Sequence, residues 1–156
     1  MRIQVVAAVA VVSLSATGVA LAALPKGKAL AIMHERHEGM EKIGDTNKLL
    51  SREFRSGTPF APAVKSGAAT LAGLAKRSSG WFPAGTGPEM GKTGAKPEIW
   101  QNQRDFAAKL VAFQRAAAAF NASAASGDMG AAKARYADLG GTCKACHDSY
   151  RSEMHH

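Results

Sequence analysis

Apolar residues recur at a helical spacing in four segments of the chain, and this pattern limits the possible folds more than any other property of the sequence. Within each segment these residues follow mostly at steps of four and three, so one face of an α-helix carries them. The segments span residues 25–54, 60–78, 97–126 and 129–150, and clusters rich in Gly, Pro and Ser lie between them. We therefore predict an all-α protein, an antiparallel four-helix bundle.

Each segment has a predicted inward face. The faces comprise Arg36, Met40, Ile43, Asn47, Leu50 and Phe54; Phe60, Val64, Ala68, Leu71 and Ala75; Ile99, Phe106, Leu110, Phe113, Ala117, Phe120 and Ala124; and Met129, Ala132, Tyr136, Leu139, Cys143, Cys146 and Tyr150. Residues 79–96 are rich in Gly and Pro, which predicts a long loop held to the bundle by Trp81 and Phe82. Asp128 is the predicted N-cap of the last helix.

The first 22 residues have the layout of a secretory signal peptide. Arg2 precedes an apolar stretch, and small residues end it at Ala20 and Ala22. The unbroken apolar run is much shorter than the ~20 residues that span a bilayer. We expect cleavage near Ala22, export to the periplasm, no membrane span, and a single domain over residues 23–156.

The chain is basic, with a formal net charge of +8. The basic residues are scattered, without the run of five or six that marks a nucleic-acid-binding tail. We expect most of them to lie on solvated helix faces and do not expect a nucleic-acid partner. A positive field of this kind attracts acidic protein partners.

The chain's only two cysteines are three residues apart and are followed at once by a histidine, in Cys143-Lys144-Ala145-Cys146-His147. On a helix, residues i and i+3 lie on the same side. Two thiols at this spacing reach the two vinyl groups of a haem, and the imidazole that follows reaches the iron. C-x-x-C-H is the sequence signal for c-type haem attachment.

Three alternative roles for the motif have weaker support. A disulfide between i and i+3 constrains little of the unfolded chain. A thioredoxin-like dithiol requires a βαβ context that this sequence lacks. Zinc would need two more ligands, drawn from His34, His37, His155 or His156.

The sequence resembles the class II c-type cytochromes, the cytochrome c′ family. The resemblance covers nearly all of the chain after residue 22. It is carried by CKACHDSYR at residues 143–151, by KPEIW at residues 96–100, and by R-x-x-x-M-x-x-I-G from Arg36 to Gly44. It implies an up-down-up-down bundle that holds one haem c through thioether bonds to Cys143 and Cys146, with His147 as the proximal ligand.

The resemblance also implies roles for three further residues. Arg36 would pair with a haem propionate, and Arg151 would lie near the proximal face. Met40 would occupy the distal position, where a low-spin branch of the family carries a methionine that binds the iron. A thioether is a soft ligand, and His/Met ligation is typical of electron-transfer haems. The open alternative is Met40 as core filler beside an unligated iron.

The predicted function is accordingly a one-electron carrier and not an enzyme, with redox proteins as partners and a homodimer as one assembly that relatives form. The alternative is a five-coordinate, high-spin haem protein that binds NO or CO at the open distal site. A peroxidase-like activity is discounted because the distal face shows no polar acid–base group.

Overall fold

A computed structural model describes residues 24–153, and all five of its α-helices agree with the all-α prediction. Four are long: α1 (Lys26–Arg55), α2 (Ala61–Arg77), α4 (Gln103–Ser126) and α5 (Met129–Tyr150). The fifth, α3 (Glu98–Gln101), is a single turn that precedes α4. The predicted signal peptide, His155 and His156 lie outside the described residues.

The helix ends follow from local chemistry. Pro62 lies in the first turn of α2, where its missing N–H would have no helical partner. The connection from α4 to α5 uses Gly127, whose φ of 88° is in the left-handed region that favours glycine. Asp128 then caps α5, because its carboxylate accepts a hydrogen bond of 2.8 Å from the N–H of Ala131.

Successive long helices pack against each other, α1 on α2, α2 on α4, and α4 on α5, which gives the predicted four-helix bundle. The shared core is apolar and includes Leu50, Phe54, Val64, Ala68, Leu71, Phe113, Phe120 and Leu139. α5 reaches α1 at one end of the bundle, where Tyr136 packs on Phe54 and donates hydrogen bonds to the carbonyl and the side chain of Asn47.

Two details of the helical prediction were wrong. The third predicted helix is interrupted at Asn102, whose φ and ψ of −113° and 48° separate α3 from α4. The N–H of Asn102 donates to the carbonyl of Glu98 and its carbonyl accepts from the N–H of Phe106, so this residue ends α3 and begins α4. The apolar spacing predicts Phe60 on the inward face of α2, but it is the residue before the helix and its side chain is 64% exposed.

The predicted loop is an ordered strap, which we define as residues 81–96. Trp81 is 1% exposed and its indole lies against Gly39 of α1. At the other end of the strap, the N–H of Lys96 donates to Tyr150 O and the N–H of Ser152 donates to Gly94 O. The strap therefore connects α1 to the end of α5, and Trp81 is the predicted buried pin.

Within residues 24–153, no helix is both long enough and apolar enough to cross a membrane.

Candidate functional site: a cleft between the first and last helices

A cleft of about 900 Å³ lies between α1 and α5, beyond the contact between Tyr136 and Asn47. This volume falls within the roughly 300–1,000 Å³ that ligand and cofactor sites occupy. One wall is the stretch of α1 from Leu30 to Lys48, and the opposite wall is the end of α5 from Cys146 to Tyr150. The strap closes one side through Phe82 and residues 91–95.

Five of the six predicted site residues line this cleft. Arg36 and Met40 come from α1, Cys146 and His147 from α5, and Arg151 follows directly after α5. The sixth, Cys143, is one helical turn before Cys146 and packs against the main core. Both cysteines are free thiols and half-buried, and burial raises the pKa of each.

His147 lines the cleft and is exposed. Burial lowers the pKa of His147, and the positive charge of Arg151 lowers it further. The guanidinium of Arg151 lies 3.5 Å from Nδ1 of His147. Both effects favour the neutral imidazole, which is the form that binds metals.

The floor of the cleft beneath Cys146 is an aromatic cluster. Phe106 contacts Phe82 and Tyr150 edge to face, with ring centroids 4.8 and 5.2 Å apart. Tyr150 donates a hydrogen bond of 2.6 Å to Asp105. This hydrogen bond, with burial, raises the pKa of Tyr150 to about 12. The tyrosine therefore stays neutral beside the cleft at physiological pH.

Met40 is half-buried and lies on the α1 wall, with buried Met33 two turns earlier in the same wall. Of the polar residues on this wall, His34 and His37 pair with Glu38 and Glu41 along α1, at 3.2 and 3.4 Å. Among residues 24–153, no group of three or more His, Cys, Asp or Glu side chains is placed to hold a metal ion.

No pattern in the sequence predicted that the strap would line the cleft and contact α1. Residues 91–95 and Thr86 belong to a Gly- and Pro-rich stretch that predicts a loop and nothing more. Their contacts to α1 span 50 or more positions of sequence, so no local pattern reports them.

The residues of the cleft fit a haem. Cys146 and His147 of the motif that attaches haem lie on one wall, Cys143 lies one helical turn before them, and the cleft opposite them is large. A helical bundle that carries this motif on its last helix defines a class of protein, the helical c-type haem proteins. The chain belongs to the cytochrome c′ family, since the pattern described as "Cytochrome C'" matches residues 31–151.

Similar proteins agree with this assignment. A cytochrome c′ of Pararhodospirillum photometricum is 31% identical over 121 residues, which are 78% of this chain and 96% of that protein. A cytochrome c-556 of Agrobacterium fabrum is 37% identical over 119 residues, 75% of this chain and 79% of that protein. The solved cytochrome c′ of Alcaligenes xylosoxidans, a ferrous variant with bound NO, is 26% identical with a TM-score of 0.72 over 81% of this chain and 97% of that one.

Membership of this family identifies the cofactor and the architecture of the protein. The chain is a c-type haem protein whose cofactor is a covalently attached haem c, and its bundle is that of the cytochromes c′. The comparisons do not support the finer prediction of a low-spin His/Met branch. They favour the alternative, because matched relatives are mostly called cytochrome c′ and one was solved with NO bound.

Proposed function

We propose that this protein binds a small diatomic gas such as NO or CO on the α1 side of a haem held by α5. The observation that carries the proposal is the asymmetry of the cleft: Cys146 and His147 lie on one wall, and the thioether side chains of Met33 and Met40 lie on the wall that faces them. The NO complex of the Alcaligenes xylosoxidans protein supports the same function. The role is one of binding and not of catalysis.

In this proposal Cys143 and Cys146 would hold the haem through thioether bonds, and His147 of α5 would be the protein ligand of its iron. When bound, the haem supplies an iron that takes up a diatomic ligand and gains or loses one electron. The protein supplies the surroundings. Buried Met33 and half-buried Met40 of α1, with half-buried Phe82 of the strap, would supply the apolar surface around the bound gas.

The second candidate is the electron carrier, in which Met40 is the sixth ligand. The position of Met40 favours it, because this half-buried thioether lies on the cleft wall that faces His147. With both axial positions filled, the iron would have no site for a gas. Export to the periplasm, a homodimer and acidic redox partners stay predictions of the sequence under either function.

Absorption and electron paramagnetic resonance spectra of the purified haem protein separate the two functions. We expect a high-spin iron that takes up CO rapidly, and we expect Met40→Leu to leave it high-spin, because leucine fills the same space without a thioether. Met129→Leu is the matched control, since Met129 is a half-buried methionine of the core that does not line the cleft.

A low-spin spectrum that becomes high-spin in Met40→Leu, but not in Met129→Leu, would instead establish Met40 as a ligand and the protein as an electron carrier. A colourless product from an export-competent host, with both thiols still open to alkylation, would exclude both functions.

A further inference from the structure

Arg36 is the most enclosed charge in the bundle, at 5% exposure, and the strap surrounds it. Its Nη1 donates to the carbonyl of Trp81 at 3.1 Å and to the hydroxyl of Thr86 at 3.3 Å. Its Nη2 donates to the carbonyl of Thr86 at 2.9 Å and to the hydroxyl of Thr93 at 3.1 Å. One side chain of α1 thereby holds three points of the strap.

Aromatic rings enclose the same guanidinium. Its central carbon lies 5.2 Å from the centroid of the Phe82 ring and 5.9 Å from that of the Trp100 ring, within the range of cation–π attraction. Trp81 also donates to Glu35 at 3.1 Å, and Trp100 donates to the carbonyl of Pro83 at 3.0 Å. The strap and its neighbours therefore enclose the guanidinium of Arg36 without a bound group.

These hydrogen bonds occupy both terminal nitrogens of Arg36 and leave its Nε–H. A guanidinium has five N–H groups, and the four hydrogen bonds to the strap use both terminal nitrogens. The planar fork that recognises a carboxylate through two parallel hydrogen bonds is therefore engaged. The ion pairs formed within residues 24–153 do not include Arg36.

We propose that Arg36 is a positioning residue, which anchors the strap to α1 and so sets the separation of the α1 and α5 walls around the haem. The geometry of the strap supports this role. The end anchored by Arg36 is on α1, the end paired with Tyr150 and Ser152 is on α5, and residues 91–95 between them line the cleft. The predicted pairing of Arg36 with a propionate stays a separate prediction, since the Nε–H is not used by the strap, and the proposal holds whether or not Met40 binds the iron.

Amide hydrogen exchange of residues 86–96 in the intact haem protein tests the proposal. Thr93→Val removes one acceptor of Arg36 but keeps its charge, and we expect these amides to exchange about tenfold faster or more. Ala95 is left out of this comparison, because its N–H donates to the same hydroxyl at 3.2 Å. Thr93→Ser keeps the hydroxyl and should exchange like the wild type. Arg36→Lys should not rescue the strap, because one ammonium cannot reach Trp81, Thr86 and Thr93 together.

The haem spectrum and the pH profile of the reduction potential provide readouts that do not depend on strap exchange. We expect Thr93→Val and Arg36→Lys to shift the haem absorption bands in the same direction, and Thr93→Ser to leave them in place. The two changes combined should accelerate exchange little beyond Arg36→Lys alone, because residues in one network do not act additively.

Two results would overturn the proposal. One is wild-type strap exchange in Thr93→Val. The other is a changed pH profile of the potential in Arg36→Lys with unchanged strap exchange, which would mean that Arg36 acts on a propionate. If Arg36→Lys does not fold, the comparison of Thr93→Val with Thr93→Ser still decides the matter.

Discussion

Gly39 lies on α1 at the place where the indole of Trp81 crosses the helix. A Cβ added to Gly39 would lie 2.3 and 2.4 Å from two carbons of that buried ring, closer than atoms approach without displacement. The glycine thus forms the notch that receives the first residue of the strap. The sequence predicted that Trp81 holds the loop to the bundle. It did not predict that Gly39 provides the space for the indole.

We expect Gly39→Ala to destabilise the haem protein by ~1–3 kcal/mol, because the indole has no free space into which to retreat. Chemical denaturation followed by circular dichroism measures the free energy of unfolding. Gly73→Ala is the control, since a Cβ at Gly73 in α2 meets no atom within 4 Å. There alanine should stabilise the helix by about 1 kcal/mol. Equal effects at the two sites would contradict the notch.

How far the sequence predicts the site depends on how local each signal is. Cys143, Cys146 and His147 form a contiguous motif whose chemistry is fixed by spacing, so it was visible at once. Arg36 was visible as a charge on an apolar face that needed a partner, but its partners are 45 to 57 positions away. The sequence therefore indicated that a partner exists, whereas only the fold showed that it is the strap.

Among the single helices, α5 begins with a side-chain cap. The carboxylate of Asp128 accepts the N–H of Ala131 at 2.8 Å, and a cap at this position is worth ~1 kcal/mol. This cap was predictable, because Gly127 ends one helix and Asp128 starts the next. The break at Asn102 was not, because α3 and α4 carry one continuous apolar pattern on both sides of it.

We expect Asp128→Ala to lower the free energy of unfolding by ~1 kcal/mol and Asp128→Ser to retain most of it. Asp138→Ala tests the same charge change elsewhere on α5. Asp138 only pairs with Arg135 at the surface, at 3.3 Å, and such pairs contribute little. Thermal and chemical denaturation of the three variants measures the difference, and a larger loss from Asp138→Ala would argue against the cap.

In the complete bundle, the order in which the helices pack determines where the cleft lies. α1 contacts α2, α2 contacts α4 and α4 contacts α5, so the first and last helices are the pair left to enclose a cofactor. The main core belongs to all four long helices, whereas the cluster of Ile99, Phe106 and Tyr150 lies beside the cleft. The bundle was predictable from apolar spacing, but the choice of the α1–α5 side required the packing order.

Replacing both cysteines by serine, in Cys143→Ser with Cys146→Ser, should yield a protein without covalent haem. We expect amide exchange to accelerate in the first half of α1 and in residues 86–96, which border the cleft. The amides of α2 and α4 should keep their protection, because Val64, Leu71, Phe113 and Phe120 remain buried together. Uniform loss of protection would mean instead that the cofactor organises the entire bundle.

The pairing of the strap with the end of α5 bears on how the protein is assembled. Gly94 and Ser152 are 58 positions apart, and both partners must be in place before their hydrogen bonds form. Closing so large a loop is entropically unfavourable and tends to come late. During biosynthesis we therefore expect an interval in which the helices have packed but the strap has not yet paired with the end of α5. In that interval the cleft would be open on the strap side, so that haem could reach the thiols before the pairing of Gly94 with Ser152 closes it.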